Sequence, residues 1–296
     1  MGFTGLARWT NAPGTGLESV RNNLLVNHNA QPRGKWSLSI KSYRSSLSQI
    51  SGSNITSERN MYALTMDENV FILLEDPAAP SRTDVQAAAV PGQEEAWLQN
   101  NPPHYRTTFL TLRPPGALEQ LLEQIKARWV PVRSTSTSIG QRNLLGGGQQ
   151  LTIEGHIFAI GTDWLVRIGN VVLAGGQVKG MLLEAEYLPL PVLHSAVADG
   201  TSELLSNLLI SILPNVRDAK TAAVTISDSQ WEDVLWDREE DMKGTKNVDE
   251  QEQNNDPYAW DDTDITDWKR GDWVGVDRDK RSAFLIVGAL RSEGLL

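Results

Sequence analysis

Cysteine is absent from this 296-residue chain, which excludes disulfides, thiolate metal sites and cysteine nucleophiles. Histidine is nearly as scarce. His28, His104, His156 and His194 are scattered, without HExxH order or a carboxylate at metal-ligand spacing, so each is expected to be a surface or structural residue. No apolar run approaches the ~18 residues a membrane-spanning helix needs, and MGFTGLARW at the start lacks the basic region and apolar core of a secretory signal. A cytosolic or nuclear chain without a membrane partner is expected. There is no nucleophile elbow, the glycines of AGGQVKG lack the order of a phosphate loop, and no GxGxxG follows an expected strand. No cofactor is expected.

Positive charge is also in short supply. The formal net charge is −10. From Asp228 to Asp279 there are 18 acidic and 6 basic residues, which leaves 19 acidic against 21 basic residues elsewhere. A nearly neutral body with an acidic appendage offers no basic stripe to neutralise phosphates, so direct nucleic-acid binding is not expected. The acidic stretch also carries Trp231, Trp236, Trp260, Trp268 and Trp273 among Asn, Gln, Asp and Glu. This composition reads as a low-complexity segment over 228–276, disordered from about 238 to 266. Pro77 to Tyr105, rich in Pro and Ala without a sustained period, reads as a long surface loop, and Gly146 to Gly148 as a hairpin connection. The organisation that results is a folded body over 1–227, the acidic segment over 228–276, and a C-terminal helix over 277–296 packing back on the body.

What the body does contain is alternation. In GTDWLVRIGNVVLAGGQVKGMLLEAEYLPLP, Trp164, Val166 and Ile168 share one face and Leu165 and Arg167 the other. Across the Ala-Gly-Gly turn, Met181, Leu183, Ala185 and Tyr187 alternate with Leu182, Glu184 and Glu186. Period two marks antiparallel strands. Similar patterns predict strands at Phe3 to Trp9, around Trp36, Leu38 and Ile40, at Thr107 to Leu112 and at Ile153 to Ile160. Met61 to Met66 and Val70 to Glu75 form an expected hairpin. Helices are expected after a Thr15/Glu18 capping box, over Leu118 to Trp129 until Pro131, over 201–213 with Leu204, Leu205, Leu208 and Ile212 inward, and over Ser282 to Leu290, where Ala283, Val287 and Leu290 share a face although AFLIV fits a strand equally. Consecutive strands without regularly interleaved helices give an α+β fold, a many-stranded antiparallel barrel-like sheet with peripheral helices.

Only one constellation could carry chemistry. Glu184 and Glu186 lie two apart on a strand and so project side by side, as a divalent cation requires. The spacing is similar to the Glu-x-Glu-x-Lys strand of triphosphate tunnel enzymes, but the lysine position here holds Leu188, and Lys179 falls on the opposite face. The simpler expectation sets both glutamates on a solvated face, with Met181, Leu183, Ala185 and Tyr187 in the core.

The order of elements carries a stronger resemblance. GTDWLVRIGNVVLAGG followed by VKGMLLEAEYLP resembles the Mediator head-module subunit 20 family, the TBP-related Mediator subunits. MGFTGLARW, LESVRNNLL, WSLSIKSYR, MYALTMDENVFILLED and FLTLRPPGALEQLLEQIKARW agree with it in order over residues 1 to 213. The resemblance implies a non-enzymatic nuclear coactivator subunit. Such a subunit pairs with the similarly folded subunit 18 in a movable part of the head and helps couple regulatory factors to RNA polymerase II. It also makes Trp164, Arg167, Gly169, Gly180, Glu184, Glu186 and Tyr187 the candidate signature or partner-facing residues. The alternatives are a metal-dependent triphosphatase using Glu184 and Glu186, and subunit 18 itself.

Overall fold

A computed structural model describes residues 3–46, 58–88, 104–124, 129–132, 150–189, 203–213, 219–222 and 276–296. The expected acidic segment, apart from its last residue, and the triple glycine lie outside these residues.

Ten strands form one antiparallel sheet. They are β1 (Phe3–Trp9), β2 (Gln31–Ser45), β3 (Asn60–Met66), β4 (Asn69–Glu75), β5 (Thr107–Leu112), β6 (Trp129–Pro131), β7 (Gln150–Ile160), β8 (Trp164–Leu173), β9 (Val178–Tyr187) and β10 (Ala219–Ala222). The order across the sheet is β10-β1-β9-β8-β7-β2-β3-β4-β5. Fifteen-residue β2 is shared along its length. Its residues Gln31 to Lys41 pair with β7, Leu38 to Arg44 pair with β3 on the other side, and Tyr43 to Ser45 take β6. The end strands β10 and β5 do not pair with each other, so the barrel-like sheet remains open.

Five helices complete the described residues: α1 (Gly16–Asn27), α2 (Arg82–Ala88), α3 (Ala117–Gln124), α4 (Glu203–Ile212) and α5 (Val276–Ser292). Four of them, α1, α3, α4 and α5, cover faces of the sheet that alternation has made apolar. On the outer face, α1 and α4 cover Ala7, Trp9, Val166, Ile168, Met181, Leu183 and Ala185, while Leu118 of α3 packs on Tyr43, Met61, Ala63, Val70 and Ile72. The inner face, with Leu6, Leu38, Ile40, Leu64, Phe71, Ile153 and Leu182, closes around Ala283, Leu285, Ile286, Val287 and Leu290 of α5. One helix reaches β1, β3 and β4, so the sheet must curl around it. Each large aliphatic side chain buried this way contributes about 1.5–3 kcal/mol.

Several expectations are corrected. The Thr15 side chain makes no capping hydrogen bond, and Thr15 has helical dihedrals, so the capping box does not form. The helix from Leu118 ends at Gln124, and Trp129 instead opens β6, where Trp129, Val130 and Pro131 extend the sheet beside the end of β2. In α4 the inward residues are Leu205, Leu209 and Ile212, whereas Leu204 is exposed, because the packed stripe runs one residue further round the helix. The stretch expected as a long loop contains α2. Short β10, which alternation did not reveal, adds to β1.

Candidate functional site

Both faces of β9 are covered, and this decides where the paired glutamates go. Outward, Met181, Leu183 and Ala185 meet α1 and α4; inward, Leu182, Glu184 and Glu186 face the volume that α5 fills. Glu184 is 0% and Glu186 1% exposed. The expected solvated face is therefore wrong: a sheet that wraps a helix has no solvated inner face, so the carboxylates are interior groups and must be paired.

Arginines from two elements supply the pairing. Arg167, on β8 directly across from Glu184, places Nη1 2.9 Å from Glu184 Oε2 and 3.5 Å from Glu186 Oε2. From the first turns of α5, Arg278 Nε lies 3.0 Å from Glu186 Oε2, and Arg281 Nη2 lies 3.3 Å from Glu186 Oε1. Burial pulls the Arg167 guanidinium down, but the Glu184 and Glu186 carboxylates outweigh it and hold its pKa above the ordinary value. Burial pushes the neighbouring Asp279 carboxyl up, assisted by Asp67 and Glu184 against the pull of Arg167 and Arg278. Three cations and three carboxyls thus face one another inside the fold.

This set does not fit a catalytic divalent cation. Such an ion needs several free carboxylate oxygens. Here three of the four oxygens of Glu184 and Glu186 already face guanidiniums. Among the described residues no group of three or more His, Cys, Asp or Glu could hold a metal. The arrangement instead joins a helix to a sheet.

The other candidate residues are placed as follows. Arg167, Gly169 and Gly180 are buried, while Trp164 and Tyr187 are half-buried at the strand ends and pair across β8 and β9, with ring centroids 4.7 Å apart. Gly169 lies opposite Gly155, and a Cβ on it would come within 2.7 Å of Ile153 and 3.1 Å of Trp36, so the close approach requires glycine. Gly180 has φ +119°, and a Cβ there would come within 2.4 Å of the Trp9 carbonyl oxygen, so its backbone too demands glycine. The seven residues thus lie on two central strands with both edges paired.

Sequence reasoning missed the partners on α5. Arg278 and Arg281, one turn apart and adjoining the stripe of Ala283, Val287 and Leu290, were the available signal, since cations beside an apolar face call for buried carboxylates. A second pair, Arg8 with Glu293, also escaped notice: Arg8, 5% exposed on β1, places Nη2 2.9 Å from Glu293 Oε2 and donates from Nη1 to the Met181 carbonyl oxygen.

Fold and interior together define an α+β protein whose open antiparallel sheet is packed around its own C-terminal helix. A family model described as the TATA-binding related factor (TRF) of subunit 20 of the Mediator complex matches residues 1–234. The chain belongs to this Mediator subunit 20 family. No curated protein matches the chain. Among solved structures, a putative adenylate cyclase from Vibrio parahaemolyticus is similar with TM-score 0.36 and 10% identity over 77% of this chain and 95% of that one. A putative adenylyl cyclase from Hippeastrum, described as having a dominant triphosphatase activity, gives TM-score 0.31 and 9% identity over 77% and 93%. The Mimivirus capping enzyme triphosphatase gives 0.24 and 10% over 71% and 89%. Similarities this distant do not bear on function.

Proposed function

We propose that this Mediator subunit is a non-enzymatic, nuclear member of the head module that pairs with subunit 18 and helps couple regulatory factors to RNA polymerase II. Family membership over residues 1–234 carries this proposal. The interior supports it, because the carboxylates that a triphosphatase would commit to metal are committed to Arg167, Arg278 and Arg281. The balance of charge supports contact with polymerase or regulators through protein surfaces, without direct nucleic-acid binding.

Docking on subunit 18 is best served by the outer edge of β5. Among the described residues β5 pairs only with β4, so its far edge presents unpaired backbone groups, and Leu110 beside them is 47% exposed. The candidate residues on β8 and β9 act as interior framework; Trp164 and Tyr187, half-buried at the strand ends, are the two that a partner can reach.

The test is an affinity pull-down of the tagged full-length chain from nuclear extract, read by mass spectrometry, with a manganese-dependent triphosphatase assay on the purified chain. Recovery of subunit 18 and other head subunits, with no triphosphate hydrolysis, is expected. Absence of subunit 18 from the eluate would overturn the pairing, and hydrolysis would overturn the non-enzymatic role.

A further inference from the structure

The two sides of the open sheet are held at a distance by something other than strand pairing. On one side stands β1 and on the other β4 and β5, and the C-terminal end of α5 lies between them. Arg8 of β1 grips Glu293 just past the helix, with Nε donating to Oε1 at 3.0 Å and to Oε2 at 2.9 Å. Two residues earlier, Arg291 donates from Nη1 to Glu75 Oε1 on β4 at 2.7 Å, and its guanidinium lies 4.9 Å from the Tyr62 ring centroid. Towards the other end of the helix, Phe284 meets Phe109 of β5 edge to face, with ring centroids 5.7 Å apart. A closed barrel would bridge this gap with backbone hydrogen bonds.

We propose that α5 is a clasp that sets the aperture of the open sheet, its closing jaws being the pairs Arg8 with Glu293 and Arg291 with Glu75. The polarity of the jaws supports this. Glu293 sits at the end of a helix where the macrodipole disfavours an anion, and Arg278 and Arg281 sit at the end where it disfavours cations, whereas Arg291 in the last turn is favoured there. Glu293, Arg278 and Arg281 therefore stand against the isolated helix and match only the sheet. Arg8 and Glu186 receive the helix in one direction and one register, since a reversed helix would bring like charges together. The jaws are also partly open to water: the side chains of Glu293, Arg291 and Glu75 are 25%, 35% and 22% exposed. The apolar stripe and the buried Glu186 pairs anchor the helix, while the jaws can part without unfolding the core. Opening them frees β1 and β4 to move apart, changing the curvature at which β5 presents its edge.

The absence of cysteine gives a direct test on the full chain. Cysteines introduced as Asn11→Cys, just past β1, and Thr107→Cys, which pairs with Glu75, carry spin labels on the two sides of the opening. Pulsed electron resonance should give one narrow distance distribution. Arg291→Gln with Glu293→Gln, which keeps side-chain size, should lengthen and broaden it while the helical circular dichroism stays unchanged. Arg8→Glu alone should broaden it as well, and Glu293→Arg added to Arg8→Glu should restore the narrow distribution. An unchanged distribution in the Gln variant overturns the clasp, as does a distribution in the exchanged variant as broad as that of Arg8→Glu alone.

The role of the clasp in docking rests on the subunit 18 pairing proposed above, and it is read separately from dissociation of purified subunit 18. The Gln variant is expected to dissociate about tenfold faster, as loss of a charge-assisted pair implies. A widened aperture with unchanged dissociation would overturn that role alone, whereas failure of the unmodified chain to bind would sink the pairing and leave the clasp standing on the spin-label distances.

Discussion

Glu186 receives three arginines from two elements, and no other side chain in the described interior joins the sheet to α5 in this way. The energetics of such a group are lopsided. An intact buried pair is worth little against well-packed apolar residues, whereas removing one member leaves a desolvated charge without compensation. Glu186→Gln preserves shape and should cost about 3 kcal/mol in urea-induced unfolding of the full chain, because Arg278 and Arg281 lose the carboxylate charge they face across the interior. A loss below about 1 kcal/mol would mean that the arginines are solvated and the network is not interior. The same logic makes Glu186→Ala unsuitable as a harmless control for metal binding. Its effect on any assay would pass through stability first.

At the scale of elements, a carboxylate in the right place can tie off a long excursion of the chain. Asp76, 2% exposed just after β4, faces Arg59 Nε at 2.7 Å and His104 Nε2 at 2.8 Å, and accepts from the Ala78 amide at 3.1 Å. Its own amide donates to the Arg106 carbonyl oxygen, so the two ends of the excursion between β4 and β5 are pinned together. Burial raises this carboxyl, but the His104 hydrogen bond, the Ala78 amide and Arg59 outweigh it and hold the pKa below the ordinary value. A depressed folded pKa adds stability above the unfolded carboxylate's titration, near about pH 4, and loses it as pH falls through the folded value. Asp76→Asn should therefore cost about 1–2 kcal/mol at pH 7, and the gap to the unmodified chain should narrow below about pH 4. A gap that does not vary between pH 7 and pH 3 would show that the ion pairs contribute nothing.

Elements also differed in how far the sequence exposed them. The strands Met61 to Met66 and Val70 to Glu75, and the run from Gln150 to Tyr187, were legible because strong alternation and turn residues act locally. Four-residue β10 was not, since so short a strand exists through its pairing with β1 and carries no period of its own. Glu184 and Glu186 were legible as a pair on one strand face. Their environment was not, because alternation separates two faces without telling which is wet. Burial of the inner face depends on α5, which arrives about 90 residues later in the chain.

At the scale of the whole molecule, an antiparallel sheet that curls far enough to wrap a helix but stops short of closing keeps two edges. One belongs to four-residue β10, which shortness protects. The other is six-residue β5, which among the described residues pairs only with β4 and has Leu110 exposed beside its far edge, the combination that invites a foreign strand. Lysine is the residue with which natural edge strands discourage such pairing, and Leu110 points away from the inner core that Phe109 enters. Leu110→Lys should therefore change stability by no more than about 0.5 kcal/mol. Its effect should appear in association. Expressed alone, the unmodified chain should be prone to aggregate and be rescued by co-expression with subunit 18, while the Lys variant should stay soluble alone and co-purify about tenfold less subunit 18. Equal recovery of subunit 18 by both chains would move the docking surface off β5 and leave the strand ends at Trp164 and Tyr187 as the next place to substitute.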